Sequence, residues 1–269
     1  MKVGYQGEER SYSYQVVRDL FPAAQPVGYP TFAAAFAALE EGTDRLVLPI
    51  ENSSTGSVLP VLDRLAQAPA TIVAEHLVEV RHALLGIAGT PLELVRRVLS
   101  HPEALAQAEG KITEHGWEPV PVADTAGAVR RVAEDGNPAQ VALAPPAAAG
   151  LHGLVVLMTD VVDRPDNTTR FVVLAAGDPQ IDDDDDKTSI MFETAHRPGA
   201  LALALAELGL RGANLTRIES RPGPEPWSYR FYVDLIHTPG REGLARVLEP
   251  PPATLARLQV LGSYRSVVR

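Results

Sequence analysis

Short apolar runs alternate with longer amphipathic segments through the first part of the chain. The runs at 2–6, 25–29 and 45–50 predict strands, and the segments between them, 13–20 and 31–41, predict helices. The alternation continues with helices at 58–66, 102–115 and 125–134 and with strands at 70–85, 98–99, 118–123, 140–144 and 172–175. Strands that alternate with helices indicate an α/β fold with parallel strands.

The order of elements changes in the last third of the chain. A strand at 187–193 is followed by a helix at 200–208, and two strands at 214–220 and 229–236 flank a turn rich in Pro and Gly. A helix at 241–248 and a strand at 258–264 complete the pattern. The order βαββαβ within about 80 residues predicts a ferredoxin-like domain.

Five consecutive aspartates, Asp182–Asp186, separate the two patterns. Adjacent like charges repel and extend a chain, and consecutive side chains cannot all converge on one ion, so a solvated linker is favoured over a cation site. We therefore predict a first domain over 1–178, an acidic linker over 179–186 and a second domain over 187–269.

Composition and charge exclude several classes of function. The 24 basic and 34 acidic residues give a net charge of −10, which argues against a general nucleic-acid binder. The chain has no Cys, which excludes disulfides, thiolate metal sites and cysteine nucleophiles. The N-terminus lacks the apolar run of a secretory signal, and no segment reads as a membrane span, so a cytoplasmic location is predicted.

The absence of several known motifs disfavours further classes of enzyme. The sequence has no phosphate loop, no dinucleotide fingerprint and no Gly-x-Ser-x-Gly, and its seven His residues show no metal-ligand spacing. Kinase, redox, serine-hydrolase and zinc chemistry are therefore disfavoured, and we expect neither a cofactor nor a metal.

Three polar segments follow predicted strands and could carry chemistry. Residues 49–58 concentrate hydroxyls before a helix, which is typical of an anion pocket or of simple helix capping. Ser100 and Glu103 match a capping box, with Gln107 two turns along the same face. Residues 166–171 place hydroxyls next to Arg170. This pattern is typical of a hydroxyl donor beside an Arg that binds a carboxylate, or of a plain turn at the start of a strand.

In the second domain, residues 196–201 and 214–222 are expected to meet at one end of the small sheet. Gly199 at a helix start allows a close backbone approach, which suits the carboxylate of an amino acid. The alternative is a domain that serves only to dimerise.

At these segments the chain resembles the prephenate dehydratase family, which includes arogenate dehydratases, over nearly all 269 residues. The matching runs, in order, are VGYQG, LPIENSSTGSV, HALLG, VLSHPEALAQ, DTAGAV, DNTTRFVVL, KTSIMFETAHRPGALALAL and NLTRIESRP. The last two resemble an ACT domain of the kind that binds phenylalanine. The resemblance implies a catalytic domain like type II periplasmic binding proteins, with one lobe at roughly 1–75 with 155–178 and the other at 76–154.

The resemblance also implies an activity and its residues. The reaction is the decarboxylating dehydration of prephenate to phenylpyruvate, CO2 and water in phenylalanine biosynthesis, with feedback regulation by phenylalanine in a homodimer or homotetramer. By motif match, four positions would be catalytic: Asn52, Ser100, Gln107 and Thr169. Their neighbours would be weaker candidates for substrate binding: Glu51, Ser53, Asn167 and Arg170. The phenylalanine site would involve Gly199, Ala200, Leu201, Asn214, Leu215, Glu219, Ser220 and Arg221, with Asn214 and Leu215 supplied by the facing strand of a partner subunit.

The match departs from the family pattern at two positions. Arg10 stands where the first loop usually has Gly, and His152 stands where Tyr is frequent. Two alternative functions stay open at this point. One is an arogenate dehydratase, and the other is a non-catalytic sensor of amino acids or related ligands.

Overall fold

The computed structural model describes residues 1–163 and 166–267, and it shows an α/β fold with mixed sheets. The strands are β1 Lys2–Gln6, β2 Gln25–Tyr29, β3 Arg45–Asn52, β4 Gly56–Ser57, β5 Ala70–Glu79, β6 Ala83–Gly86, β7 Arg97–Ser100, β8 Glu118–Pro121, β9 Gln140–Ala144, β10 Val155–Met158, β11 Thr168–Ala176, β12 Lys187–Thr194, β13 Asn214–Pro222, β14 Tyr229–Ile236 and β15 Leu255–Tyr264. The helices are α1 Tyr12–Leu20, α2 Phe32–Glu40, α3 Leu59–Leu65, α4 Pro102–Gln107, α5 Glu109–Glu114, α6 Thr125–Asp135, α7 Ala200–Leu210 and α8 Gly240–Leu248. Two short 3₁₀ helices cover Leu92–Leu94 and Pro146–Leu151.

Most predicted elements are confirmed, and four strands have the predicted bounds: β1, β2, β9 and β14. The strands predicted over 70–85 are β5 and β6. Two expectations are corrected, because the helix at 102–115 is broken at Ala108 and β10 is a strand that the sequence pattern did not predict. No helix in the described part of the chain is long and apolar enough to cross a membrane.

The chain divides into two compact units, and each unit is built from three segments that alternate along the sequence with those of the other. The first unit comprises Met1–Thr31, Glu51–Gly56 and Leu77–Arg170. It contains the parallel pair β1–β2 and a five-stranded sheet of order β10-β6-β9-β7-β8, in which β7 runs parallel to β8 and β9.

Both faces of this five-stranded sheet are covered. Alternate residues of β6, β7 and β9 point to opposite sides, as a strand with a two-residue period requires. Leu85 and Ala142 join a cluster with α6, whereas Leu84 and Val141 join a cluster with α4 and α5. The apolar runs of these strands are explained by burial on both sides.

The first loop keeps a glycine-like backbone although Arg10 occupies the position. Arg10 has a φ of 64°, in the left-handed region that favours glycine. Its side chain is exposed, and its Nη1 lies 3.4 Å from the carbonyl oxygen of Ala147. Arg10 therefore has a backbone conformation that glycine adopts without strain, and its cation lies at the surface.

The second unit comprises Phe32–Ile50, Ser57–His76 and Phe171–Arg269. Its sheet has the order β13-β14-β12-β15-β5-β11-β3, and each of the first four strands runs antiparallel to its neighbour among them. With α7 and α8 they form the predicted βαββαβ arrangement. Phe192, Val233 and Leu244 belong to the apolar core of this part of the unit.

The acidic run is only partly solvated. Asp182, Asp183 and Asp184 are exposed, but Asp185 is buried and its Oδ2 accepts a hydrogen bond from the N–H of Asp182. Burial raises the pKa of the Asp185 carboxyl. The expectation of a uniformly extended, solvated linker is therefore wrong at its C-terminal end, where the chain folds back on itself.

Candidate active site

Asn52, the last residue of β3, organises the turn that follows it. Its Oδ1 accepts hydrogen bonds from the backbone N–H of Ser54 at 2.9 Å, from the N–H of Thr55 at 3.1 Å and from the Thr55 hydroxyl at 3.3 Å. Three donors around one oxygen fix the orientation of the amide.

The predicted anion pocket at a helix start is wrong for this segment. Helix α3 begins only at Leu59, and its N-cap residue Val58 makes no side-chain cap. The backbone N–H groups of Ser54 and Thr55 donate to Asn52 instead, so the hydroxyl-rich run is a turn that immobilises Asn52.

The nitrogen of the same amide joins β3 to β11. Asn52 Nδ2 lies 2.9 Å from Thr169 Oγ1 and 2.7 Å from Asn167 Oδ1. Asn167 Nδ2 in turn donates to Gln107 Oε1 at 2.8 Å. Gln107, Asn167, Asn52 and Thr169 thus form one hydrogen-bonded chain, which we call the amide chain, within a single unit.

Thr169 is the end of the amide chain. Its oxygen accepts from Asn52, and its hydroxyl donates to no acceptor among residues 1–163 and 166–267. Because one lone pair is occupied by the amide N–H, the Thr169 O–H points elsewhere and can donate to a bound molecule. Hydrogen bonds in a chain also polarise one another, which strengthens Thr169 as a donor.

Ser53 holds the start of β11 in place. Its N–H donates to the Thr168 carbonyl at 2.8 Å, and its Oγ accepts from the Thr168 N–H at 2.9 Å. This two-way clamp fixes the backbone next to Thr169. Ser53 is thus engaged by the protein itself.

A cavity of about 290 Å³ opens beside the amide chain. It is lined by Ser54, Thr55, Ala106, Gln107, Asp163 and Asn167. On one side Thr55 is hydrogen-bonded to the carboxylate of Glu103. On the other, the Asp163 carboxylate accepts from the N–H groups of Gly110 at 2.8 Å and Lys111 at 3.2 Å at the start of α5. In the described part of the chain, no group of three or more His, Asp and Glu side chains could hold a metal ion.

Glu51 and Arg170 form an ion pair next to the amide chain. Arg170 Nε and Nη2 lie 3.0 and 2.9 Å from Glu51 Oε2. The Arg170 side chain is buried, and that of Glu51 is 34% exposed. The structure therefore pairs the Arg170 guanidinium with the Glu51 carboxylate.

Ser100 lies apart from the amide chain. It is fully buried at the end of β7, and its Oγ donates to the Leu143 carbonyl at 2.6 Å. The predicted capping box is wrong, because the N-cap of α4 is His101, whose Nδ1 accepts from the Glu103 N–H at 3.2 Å. The helix begins one residue later than the sequence motif indicates.

His82 is a buried residue of this unit that sequence reasoning did not single out. Burial lowers the pKa of its imidazole to about 4, and a hydrogen bond with the Gln107 side chain opposes this shift. Its only sequence signal was its place at the head of the matching run HALLG.

A second cavity, of about 460 Å³, lies at the start of α7. Its lining includes Gly199, Ala200 and Leu201 together with Tyr229 and Phe231 of β14. Gly199 has a φ of 79° and precedes the helix without a side-chain cap.

The predicted residues of β13 are not in the lining of this cavity. Asn214 pairs with Ile236, at the opposite end of β14 from Tyr229, so Asn214 and Leu215 lie away from Gly199 within this chain. Glu219 and Ser220 pair with Tyr232 and Phe231. Arg221 binds Asp63 of α3 through two bonds, of 3.0 and 2.7 Å.

Comparison with known proteins identifies relatives along the whole chain. The family model described as "Prephenate dehydratase" matches residues 3–179. The "Arogenate dehydratase/prephenate dehydratase 2, chloroplastic" of Arabidopsis thaliana is 39% identical across 98% of this chain and 72% of the relative. The "Bifunctional N-acyl-homoserine lactone acylase/prephenate dehydratase" of Komagataeibacter europaeus is 36% identical across 97% of this chain and 95% of its own. The crystal structure of an Arthrobacter aurescens protein, a prephenate dehydratase in complex with L-Phe, superimposes with a TM-score of 0.84 at 29% identity, over 99% of this chain and 90% of that one.

Proposed function

We propose that the amide chain ending in Thr169 converts prephenate to phenylpyruvate, CO2 and water, because this protein belongs to the prephenate dehydratase family. The observation that supports the assignment is the donor pattern at Thr169. Asn52 donates to its oxygen at 2.9 Å and leaves its hydroxyl to donate to a bound molecule.

The reaction needs such a donor. The bond between the ring and its carboxylate breaks, and its electron pair enters the ring, which becomes aromatic as the bond to the ring hydroxyl breaks. The departing hydroxide takes up one proton from the surrounding water and leaves as water. A preorganised hydrogen bond from Thr169 to the departing oxygen stabilises the charge that develops there.

The other predicted residues have separate roles in this proposal. Gln107 lines the cavity and faces the substrate, Asn52 orients Thr169, and Asn167 holds both of these amides in place. Ser53 fixes the backbone next to Thr169, Glu51 and Arg170 pair with each other, and Ser100 holds the end of β7 to the Leu143 carbonyl of β9.

We further propose the finer architecture. Residues 1–178 form a two-lobed domain like a type II periplasmic binding protein, with lobes at roughly 1–75 with 155–178 and at 76–154. Residues 179–186 link it to an ACT domain over 187–269, whose last two residues lie outside the described part of the chain. The end of the family model at residue 179 and the βαββαβ order of β12 to β15 support this division.

Phenylalanine is the proposed effector at the second cavity. Gly199, Ala200 and Leu201 present a helix start to a carboxylate, and Tyr229 and Phe231 offer apolar surface to an aromatic ring. The L-Phe complex of the Arthrobacter aurescens relative supports this assignment. A homodimer or homotetramer and a cytoplasmic location remain proposals from the sequence.

Arogenate is the second candidate substrate, because the relatives from Arabidopsis thaliana and Petunia hybrida are named as arogenate dehydratases. The deciding experiment incubates the purified chain with prephenate and with arogenate in parallel. Phenylpyruvate is followed by its absorbance in alkali, and phenylalanine by chromatography. The substrate with the higher kcat/KM is the assigned one, and turnover of neither contradicts the proposal.

Thr169→Ala tests the donor within the same assay. We expect kcat to fall by about 100-fold to 1,000-fold, the usual cost of one lost transition-state donor. Thr168→Ala is the matched control, since within residues 1–163 and 166–267 its hydroxyl donates only to the Asp166 carbonyl, at 3.4 Å. Near-normal kcat in Thr169→Ala would remove Thr169 from the mechanism.

A further inference from the structure

The helix predicted over 102–115 lacks the backbone hydrogen bond that would make it continuous at Gln107. In an unbroken α-helix the N–H of Lys111 would donate to the carbonyl of Gln107, four residues earlier. In the described part of the chain that bond is absent, because α4 ends at Gln107 and α5 begins at Glu109. The N-cap residue of α5, Ala108, makes no side-chain cap. The Gln107 carbonyl and the first N–H groups of α5 therefore need partners from elsewhere.

Asp163 takes the place of both partners in the absent bond. Its N–H donates to the Gln107 carbonyl at 2.8 Å, and its carboxylate accepts from the N–H groups of Gly110 at 2.8 Å and Lys111 at 3.2 Å. A side chain inserted between the N–H and C=O groups of a helix kinks or breaks it. Asp163 is thus the cause of the break, although it lies 52 residues beyond Lys111 in the sequence.

Gly110 shows how closely the Asp163 carboxylate is fitted to the start of α5. A Cβ built on Gly110 would lie 2.9 Å from Asp163 Oδ1 and 3.2 Å from its Cγ. Contacts this short would force the carboxylate away from the helix. Glycine is unfavourable inside a helix, so its presence here is explained by the space that the carboxylate needs.

The break decides where the side chain of Gln107 lies. Gln107 is the last residue of α4, and its Oε1 accepts from Asn167 Nδ2 at 2.8 Å. Closing the bond between Gln107 and Lys111 would draw the Gln107 backbone into one continuous helix and turn its side chain relative to Asn167, because the helical repeat fixes side-chain directions. The Asp163 carboxylate opposes that closure by occupying the Lys111 N–H.

We propose that Asp163 is a positioning residue of the reaction, which keeps the Gln107 amide in hydrogen-bonding reach of Asn167. Through Asn52, this fixes the direction of the Thr169 hydroxyl. The inference rests on the proposed function of the amide chain. Asp163 also lines the cavity, so direct contact with the substrate is the competing role.

The test is a set of variants at the helix break, assayed with prephenate and with arogenate. Asp163→Ala removes both acceptor oxygens and is expected to lower kcat by about 10-fold to 100-fold with little change in KM, because misplaced groups lose transition-state contacts. Asp163→Asn keeps one acceptor oxygen for the Gly110 N–H and is expected to recover part of kcat. The loss should be equal for every substrate that the wild type turns over, since positioning acts on the Thr169 donor and not on the substrate side chain.

Gly110→Ala disturbs the same contact from the helix side. Its Cβ displaces the Asp163 carboxylate, and Gly110 is not among the described residues that line the cavity, so we expect a loss of kcat of about 3-fold to 10-fold without direct substrate contact. In an Asp163→Ala background there is no carboxylate to displace, and Gly110→Ala should have no further effect on kcat. This variant keeps the test open if Asp163→Ala does not fold.

Two further measurements separate positioning from general damage. If Asp163 acts through Gln107, neither Asp163→Ala nor Gly110→Ala lowers kcat further in a Gln107→Ala background. Glu109→Gln is the matched control, because it removes an exposed acidic charge at the same helix start whose side chain makes no hydrogen bond or ion pair with the described residues. We expect it to retain wild-type kcat, and all variants are compared at temperatures below their Tm.

The outcomes distinguish this inference from the proposed function. Loss of kcat in Thr169→Ala and Gln107→Ala, with wild-type kcat in either Asp163→Ala or Gly110→Ala, overturns only the role of Asp163. Multiplying effects of Asp163→Ala and Gln107→Ala, or an effect of Asp163→Ala confined to KM or to one of two substrates, also overturn it. Wild-type kcat in both Thr169→Ala and Gln107→Ala overturns the assignment of the amide chain itself.

Discussion

At the scale of single residues, Asn52 decides the geometry of the site because each polar atom of its amide has a different task. The oxygen closes the turn at Ser54 and Thr55, and the nitrogen reaches Asn167 and Thr169. The sequence could mark Asn52, Gln107 and Thr169 as candidates through their segments. It could not show that Asn167 joins them, because its two partners lie 115 and 60 residues away along the chain.

Ser100→Ala tests the corrected role of that residue. The variant loses a buried hydrogen bond to the Leu143 carbonyl, so we expect a loss of about 1 kcal/mol in the free energy of unfolding, measured in urea. Because no hydrogen bond joins the Ser100 side chain to the amide chain in the described residues, kcat should fall far less than in Thr169→Ala. A loss of kcat as large as that of Thr169→Ala would return Ser100 to the reaction centre.

His82 also predicts a pH dependence of stability. Its pKa is lowered from 6.5 to about 4 in the folded chain, so the unfolded chain binds the proton more tightly. The neutral His82 ring therefore contributes fully to the free energy of unfolding above about pH 6.5. This contribution, about 3 kcal/mol, is lost as the pH falls toward 4. Urea unfolding of wild type and His82→Gln between pH 7 and pH 4.5 checks this, since the variant should lose less stability over that range. Parallel curves would contradict it.

At the scale of elements, the spacing of apolar residues predicted the strands and helices that begin and end at residues within their own segment. The helix at 102–115 differs because its break depends on a distant residue. Asp163 accepts from the N–H groups of Gly110 and Lys111 and so starts a second helix after Ala108. Likewise, β10 is a strand because it pairs with β6, and its half-exposed Val155 and Val156 give no clear alternation.

Gly262 marks a contact between strands that only a glycine permits. It pairs with Ile72 of β5, and a Cβ built on it would lie 2.2 Å from the Ile72 carbonyl oxygen. We expect Gly262→Ala to lower the free energy of unfolding by about 1–3 kcal/mol, because backbone atoms must shift. The control is Gly209→Ala in α7, where a Cβ meets nothing within 4 Å and where Ala should be neutral or stabilising. Equal stability of the two variants would contradict the close approach of β15 and β5.

At the scale of the whole molecule, the predicted second domain shares its unit with segments from the first. The buried Lys187 Nζ lies 2.7 Å from Glu75 Oε2, and Thr71 donates to the Leu261 carbonyl. The acidic run predicted a boundary, but sequence patterns could not show these contacts, since they join residues more than 100 positions apart. A chain cut within the acidic run is therefore expected to lose stability, so point variants are the better tools for regulation.

The ion pair of Asp63 and Arg221 offers such a variant for the proposed response to phenylalanine. Arg221 lies on β13 and Asp63 on α3, so their two bonds connect the effector part of this unit to a helix of the first predicted domain. Both side chains are partly exposed, and Asp63→Asn should therefore change the free energy of unfolding by less than about 1 kcal/mol.

If the pair transmits the effect of phenylalanine, the Asp63→Asn variant should still bind phenylalanine in calorimetry. Its half-inhibiting concentration should rise by about 5-fold or more, because inhibition requires a coupling free energy between the two sites. An inhibition curve identical to wild type would exclude the pair from the coupling, and no binding heat at millimolar phenylalanine would exclude the second cavity as the effector site.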